Sequence, residues 1–237
     1  MIKKPLLFMM LFVAFTAAKA QNLISPSYGF SHSKTAYITL ADGTEINGTI
    51  RDIDRDKGLI EFIKLQDGAG KKHKLKPEDI KFMYLPPSGL DNLGKKLNFL
   101  EDFKKWNDEK LNQDFLNQGY AYFETADVKV KKKNSKLLMQ LLNPGFSKDV
   151  KVYCDPYAKE TTSLGVGGVK FVGGDAKSYY VAKKDSPAFL LKKKDYKKEF
   201  QPLWGSCQKV ISDNPEPKWT DLTKHIVTYS ECVDPSK

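Results

Sequence analysis

Apolar and polar positions alternate in short runs from residue 35 to residue 86. Tyr37 and Thr39 fall on one face of a strand, and Ile38 and Leu40 on the other. Ala41-Asp42-Gly43-Thr44 turns the chain, since Asp-Gly supplies the positive φ of a tight hairpin. Ile46, Gly48 and Ile50 continue on the return strand, where Gly48 permits a sharp bend. Gly58 to Leu65 is a third strand, and Asp67-Gly68-Ala69-Gly70 is another turn. His73-Lys74-Leu75 is a short fourth strand. Pro77-Glu78-Asp79 reads as one tight helical turn, and Ile80 to Leu85 as the last strand. Five short strands with a helical turn before the fifth predict a small SH3-like or Sm-like β-barrel over residues 35–86, a shape that hosts many functions.

Pro86-Pro87-Ser88-Gly89 punctuates the end of this unit. A helical stripe through Leu100, Phe103, Leu111 and Phe115 predicts a helical connector over 97–118, stopped at Gly119. The period returns to two from Tyr120, with Val128 and Val130 alternating with Lys129 and Lys131. Further strands are expected at 137–142, 150–154, 169–172, 178–182 and 188–191. They predict a larger antiparallel sheet within residues 119–237. Tyr196, Phe200, Leu203 and Cys207 share one helical face, which Pro202 kinks or ends early. Trp219, Leu222, Ile226 and Tyr229 share another, with Cys232 one turn on. The fold class is therefore α+β: a small barrel, a connector, and a sheet with two C-terminal helices.

The first twenty residues set the compartment. Lys3 and Lys4 precede an uncharged apolar run, and Ala18-Lys19-Ala20 places small residues where a signal peptidase reads. The run of about 14 residues is too short for a span, which needs about 20. Residues 1–20 are read as a signal peptide, and no later stretch is expected to span a membrane. Gln21, not cysteine, follows the cleavage point, which argues against a lipoprotein. Processing leaves 217 of the 237 residues and lowers the net charge from +10 to +7. The excess is lysine, with arginine only at Arg51 and Arg55, a balance unlike that of a nucleic-acid reader.

Three cysteines in an exported chain permit one disulfide. Cys207 and Cys232 lie near the ends of two helical stripes on their apolar sides, and they are the expected pair. Cys154 is then a free thiol buried in a strand. No motif equips Cys154 as a nucleophile. His32, His73 and His225 lack zinc-ligand spacing, and neither a metal nor a cofactor is expected. Gly165-Val166-Gly167-Gly168 lacks the Lys-Ser/Thr ending of a phosphate loop and reads as a hairpin. Asp52, Asp54 and Asp56 lack the sixth-position glycine of a calcium loop, because Lys57 stands there. Lys131-Lys132-Lys133 and Lys192-Lys193-Lys194 read first as guards of strand edges. With Phe123 and Phe189 nearby they could also form a face for an anionic glycan or lipid head group.

Leu138-Met139-Gln140-Leu141-Leu142-Asn143-Pro144-Gly145-Phe146 and Val152-Tyr153-Cys154-Asp155-Pro156 are two of four distinctive stretches. Gly173-Gly174-Asp175-Ala176-Lys177-Ser178-Tyr179-Tyr180 and the tail from Lys192 to Tyr229-Ser230-Glu231-Cys232 complete them. Together they resemble uncharacterised exported proteins of Bacteroidota. The resemblance implies location in the periplasm or cell envelope and a β-rich body. It implies no catalytic residues, so these remain unknown. The expected function is a binding module for an envelope protein or anionic surface ligand, acting through a strand edge or a concave sheet face. The alternative is a periplasmic hydrolase whose site is assembled from distant residues, with His225 or Asp155 in a pocket.

Overall fold

The computed structural model describes residues 23–88, 110–130, 133–158, 163–166, 169–173, 176–184 and 186–234. The signal segment and most of the expected connector lie outside these residues. The strands are β1 Thr35–Leu40, β2 Glu45–Asp56, β3 Leu59–Asp67, β4 Lys72–Leu75, β5 Ile80–Leu85, β6 Ala121–Val130 and β7 Lys133–Gln140. They continue as β8 Val150–Cys154, β9 Ser163–Val166, β10 Val169–Gly173, β11 Ser178–Lys183 and β12 Ala188–Lys192. The α-helices are α1 Gln113–Asn117, α2 Tyr196–Trp204, α3 Gln208–Asp213 and α4 Leu222–Val233. The class is mixed α+β, with a ten-stranded sheet in the order β4-β3-β2-β1-β5-β6-β12-β11-β8 and β7 paired to β6. A separate hairpin, β9–β10, holds the Gly165 stretch.

The first five strands and the tight turn at Pro77–Asp79 fall where the alternation places them. These strands run in the order β4-β3-β2-β1-β5, and β5 pairs with β6 beyond β1, so an SH3-like barrel is not shown. Among the described residues β4 pairs with β3 alone, so the five strands are one wing of a continuous sheet. Their core is Ile38, Ile50, Ile63, Leu65, Ile80 and Met83, each essentially inaccessible to solvent. Gly48 is required by close approach, because a Cβ there would lie 2.3 Å from the Gln66 carbonyl oxygen. Gly58 sits at φ +81°, and a Cβ there would lie 2.7 Å from the Pro156 Cβ. The tip of the β2–β3 hairpin therefore abuts the end of β8.

The connector differs from the expectation in its described part. Residues 110–112 are not helical, and α1 starts afresh at Gln113. The cause is local: the Asn112 side chain accepts a hydrogen bond from the Phe115 N–H and caps a new helix. Phe115 then stacks on Tyr37, with ring centroids 4.2 Å apart.

The second half is mostly antiparallel, with one parallel pairing, β12 on β6. β6 pairs with β7, and Leu141, just past β7, bridges to Tyr153 of β8. β8 pairs with β11, β11 with β12, and β12 with β6. This circuit of pairings closes a five-strand ring. Val150, Val152, Val181 and Leu191 lie on its outer face and pack against α2, α3 and α4. The first expected C-terminal helix is divided: Pro202 stands in the last full turn of α2, and Cys207 caps α3. No helix among the described residues is long and apolar enough to cross a membrane.

Candidate functional site

Residues paired directly across a sheet share one of its faces. Glu124 faces Met139, Ala126 faces Leu137, Val128 faces Ala188, Lys151 faces Ala182, and Tyr153 faces Tyr180. This set is the inward face of the ring. Tyr122, Val128, Met139, Leu141 and Tyr153 fill one end of it. Ala126 and Ala182 are too small to fill the other. The result is a cleft of about 280 Å³ at the mouth of the ring.

Glu124 stands at an inward position where the alternation calls for an apolar side chain. Its Oε1 accepts from the Tyr153 hydroxyl at 2.6 Å and from Lys151 Nζ at 2.8 Å. Its Oε2 accepts from the same Lys151 at 3.0 Å and from the Tyr122 hydroxyl at 3.2 Å. The carboxylate is thus held by donors on two walls of the ring, which fixes it without leaving a buried charge unpaired. Asp149 lines the same cleft at 8 % exposure. Its carboxylate accepts no hydrogen bond among the described residues, and Oδ2 is fully buried. Its backbone carbonyl accepts from the Lys184 N–H at 3.0 Å, which holds the loop after β11 over the cleft. Lys148 and Lys183 also border the cleft but are drawn aside. Lys148 pairs with Asp234 at 2.8 Å. Lys183 donates to the Leu203 carbonyl at 2.8 Å and lies 4.3 Å from the Tyr229 ring centroid.

The side chains picked out from the sequence lie elsewhere. His225 is inaccessible in the core beneath the helices. Trp204 Nε1 donates to the Tyr196 hydroxyl at 3.2 Å, and that hydroxyl is hydrogen-bonded to His225 Nδ1 at 2.7 Å. Burial lowers the His225 pKa to about 4, so the ring is neutral. Asp155 accepts from the Ser178 hydroxyl at 2.5 Å and from the Tyr157 N–H, and it is buried. Cys154 is a free, buried thiol in β8, pushed up to about 11 by desolvation. Cys207 and Cys232 lie at disulfide distance, with Cα atoms 5.7 Å apart. His32 Nδ1 is 3.0 Å from the Ile50 carbonyl, and His73 Nε2 is 2.8 Å from Asp67 Oδ2. Asp52 pairs with Lys64, and Asp54 accepts from the following N–H.

The two aromatics of the alternative lysine–aromatic face are engaged in the cores. Phe123 is buried in the first core and Phe189 packs under the helices. Lys131 and Lys132 lie outside the described residues. Strand addition at β8 is blocked as well. Asn143 Nδ2 donates to the carbonyls of Val150 at 2.7 Å and Phe146 at 3.0 Å, while Oδ1 accepts from the Val152 N–H at 2.8 Å. Leu142 adds an N–H to the Val152 carbonyl at 2.8 Å. The other end of the sheet path, β4, is four residues long, with Lys72 and Lys74 exposed.

Sequence reasoning did not find Glu124, Asp149, Lys151 or Tyr153. A signal existed for Glu124 alone: a charge at the apolar parity of Tyr122, Ala126 and Val128. Comparison with protein-family models, curated proteins and solved structures finds no match to this chain.

Proposed function

We propose that the chain is an exported binding protein of the periplasm or cell envelope, taking a small polar ligand in the cleft at the ring mouth. The signal-like segment and the resemblance to exported Bacteroidota proteins support export, as does a cysteine pair suited to an oxidising compartment. The first five strands act in this reading as an SH3-like scaffold that buttresses the ring. One observation carries the binding role: Asp149, nine-tenths buried on the wall of a cleft, keeps an inaccessible Oδ2 with no partner among the described residues. A buried carboxylate oxygen without a donor costs stability, and such costs persist where a ligand supplies the missing donor. The ligand offers a hydroxyl or ammonium to Asp149. Support for a hydrolase is weaker, because His225, Asp155 and Cys154 are all buried and outside the cleft.

Equilibrium dialysis against a low-molecular-weight envelope extract, read by mass spectrometry, tests the reading. The wild type is expected to retain a small polar compound, and Asp149→Asn to lose it while folding at least as stably. Equal retention by both proteins, or none by the wild type, overturns the proposal.

A further inference from the structure

A second small chamber lies at the far side of the ring, where the β2–β3 tip meets Pro156. Its volume is about 20 Å³, room for one water-sized sphere. Two side chains on its wall carry buried N–H groups with no partner among the described residues: Arg55 Nη2 and Gln140 Nε2. Gln140 is 4 % exposed, and its Oε1 accepts from the Ser27 N–H at 3.0 Å. That bond fixes the amide orientation and leaves Nε2 as a donor without an acceptor.

Arg55 is the more telling group. Nη1 donates to the Gly58 carbonyl at 3.1 Å, and the guanidinium carbon lies 5.9 Å from the Phe30 ring centroid. Neither contact neutralises the charge. Among the described residues no aspartate or glutamate lines the chamber. Asp54 and Asp56 flank Arg55 on β2, and both are exposed whereas Arg55 is half-buried. Cys154 borders the chamber, and its desolvated thiol stays protonated, so sulfur supplies no counter-charge. Arg55 is half-buried with its Nη2 inaccessible, and burial disfavours its charge. Buried orphan donors call for an unseen occupant. The remaining walls include Leu59, Ile60 and Met139. Ser27, Tyr28 and Cys154 also line the chamber, and a water there would accept from both donors. A monatomic anion needs donors alone.

We propose that this chamber binds one halide-sized monovalent anion between Arg55 Nη2 and Gln140 Nε2. The anion tethers the β2–β3 tip to β7 and β8, and so joins the two wings of the sheet. A tetrahedral oxyanion is too large for the space.

Two measurements on the full chain test this. Crystals soaked in bromide should show an anomalous peak in the chamber, within hydrogen-bond reach of both nitrogens. Thermal unfolding at constant ionic strength, with chloride exchanged for gluconate, should give a transition temperature that rises with log chloride concentration. Gln140→Glu keeps the acceptor for Ser27 and gives Arg55 a built-in counter-charge, so its transition should not respond to halide. A chamber holding water and no anomalous peak overturns the proposal, even if that variant fails to fold. So does a wild-type transition indifferent to halide, or a Gln140→Glu protein as halide-dependent as the wild type.

Discussion

Replacing Asn143 with alanine should strip the cover from the outer edge of β8. The Asn143 side chain is fully inaccessible and makes three hydrogen bonds, all to backbone groups. Each bond contributes about 1 kcal/mol net, so their loss costs about 3 kcal/mol. The cost is higher if no water enters, because the Val152 N–H and the Val150 and Phe146 carbonyls are then buried without partners. That is a large part of the ~5–15 kcal/mol that holds a typical domain folded. Asn143→Asp retains the acceptor for Val152 but aims a carboxylate oxygen at two carbonyls, so it should be no milder. Urea unfolding of the wild type and both variants gives the free-energy differences. Native-state hydrogen exchange at the Val152 amide reports the edge itself, and protection there should fall in Asn143→Ala. An exposed edge also invites chain-to-chain pairing, so the variant should aggregate at lower concentration. A loss below about 1 kcal/mol, or an unchanged Val152 protection factor, would refute the idea that this one amide closes the sheet.

Other outcomes follow from single contacts. Replacing both Cys207 and Cys232 with alanine removes a link across a 25-residue separation and should cost about 3.5 kcal/mol in the chain-entropy model. Titrating thiols in denaturant without reductant should find one per chain, Cys154, and three would contradict the pairing. Gly58→Ala combines a left-handed backbone with a clash against Pro156, so it should destabilise by about 2 kcal/mol; a neutral result in urea unfolding would contradict the packing of the hairpin tip. His225 binds protons less readily folded than unfolded, because its folded pKa is about 4 against an ordinary 6.5. Its contribution to stability is therefore complete above about pH 6.5 and is lost as pH falls through about 4. Urea midpoints between pH 7 and pH 4 should fall for the wild type and fall less for His225→Gln.

The strands were legible because a half-buried strand writes its period into the chain. Ile38, Ile50 and Ile63 announce one face, and Asp42-Gly43 and Asp67-Gly68 announce the turns. The cysteine pair was legible for a similar reason, since both cysteines lie on apolar helical stripes. Residues 110–112 were misread because the spacing of Leu111 and Phe115 fits a helix, whereas the capping preference of Asn112 overrides it locally. The site was not legible. Glu124 and Lys151 are 27 positions apart, and nothing local says that a bridge from Leu141 to Tyr153 closes the strands into a ring. Sequence periodicity fixes which side of a strand a residue occupies. Which strands become neighbours depends on long-range pairing, and that pairing alone brought Glu124, Lys151 and Tyr153 together, left Asp149 Oδ2 without a donor among the described residues, and set Arg55 and Gln140 on one chamber wall.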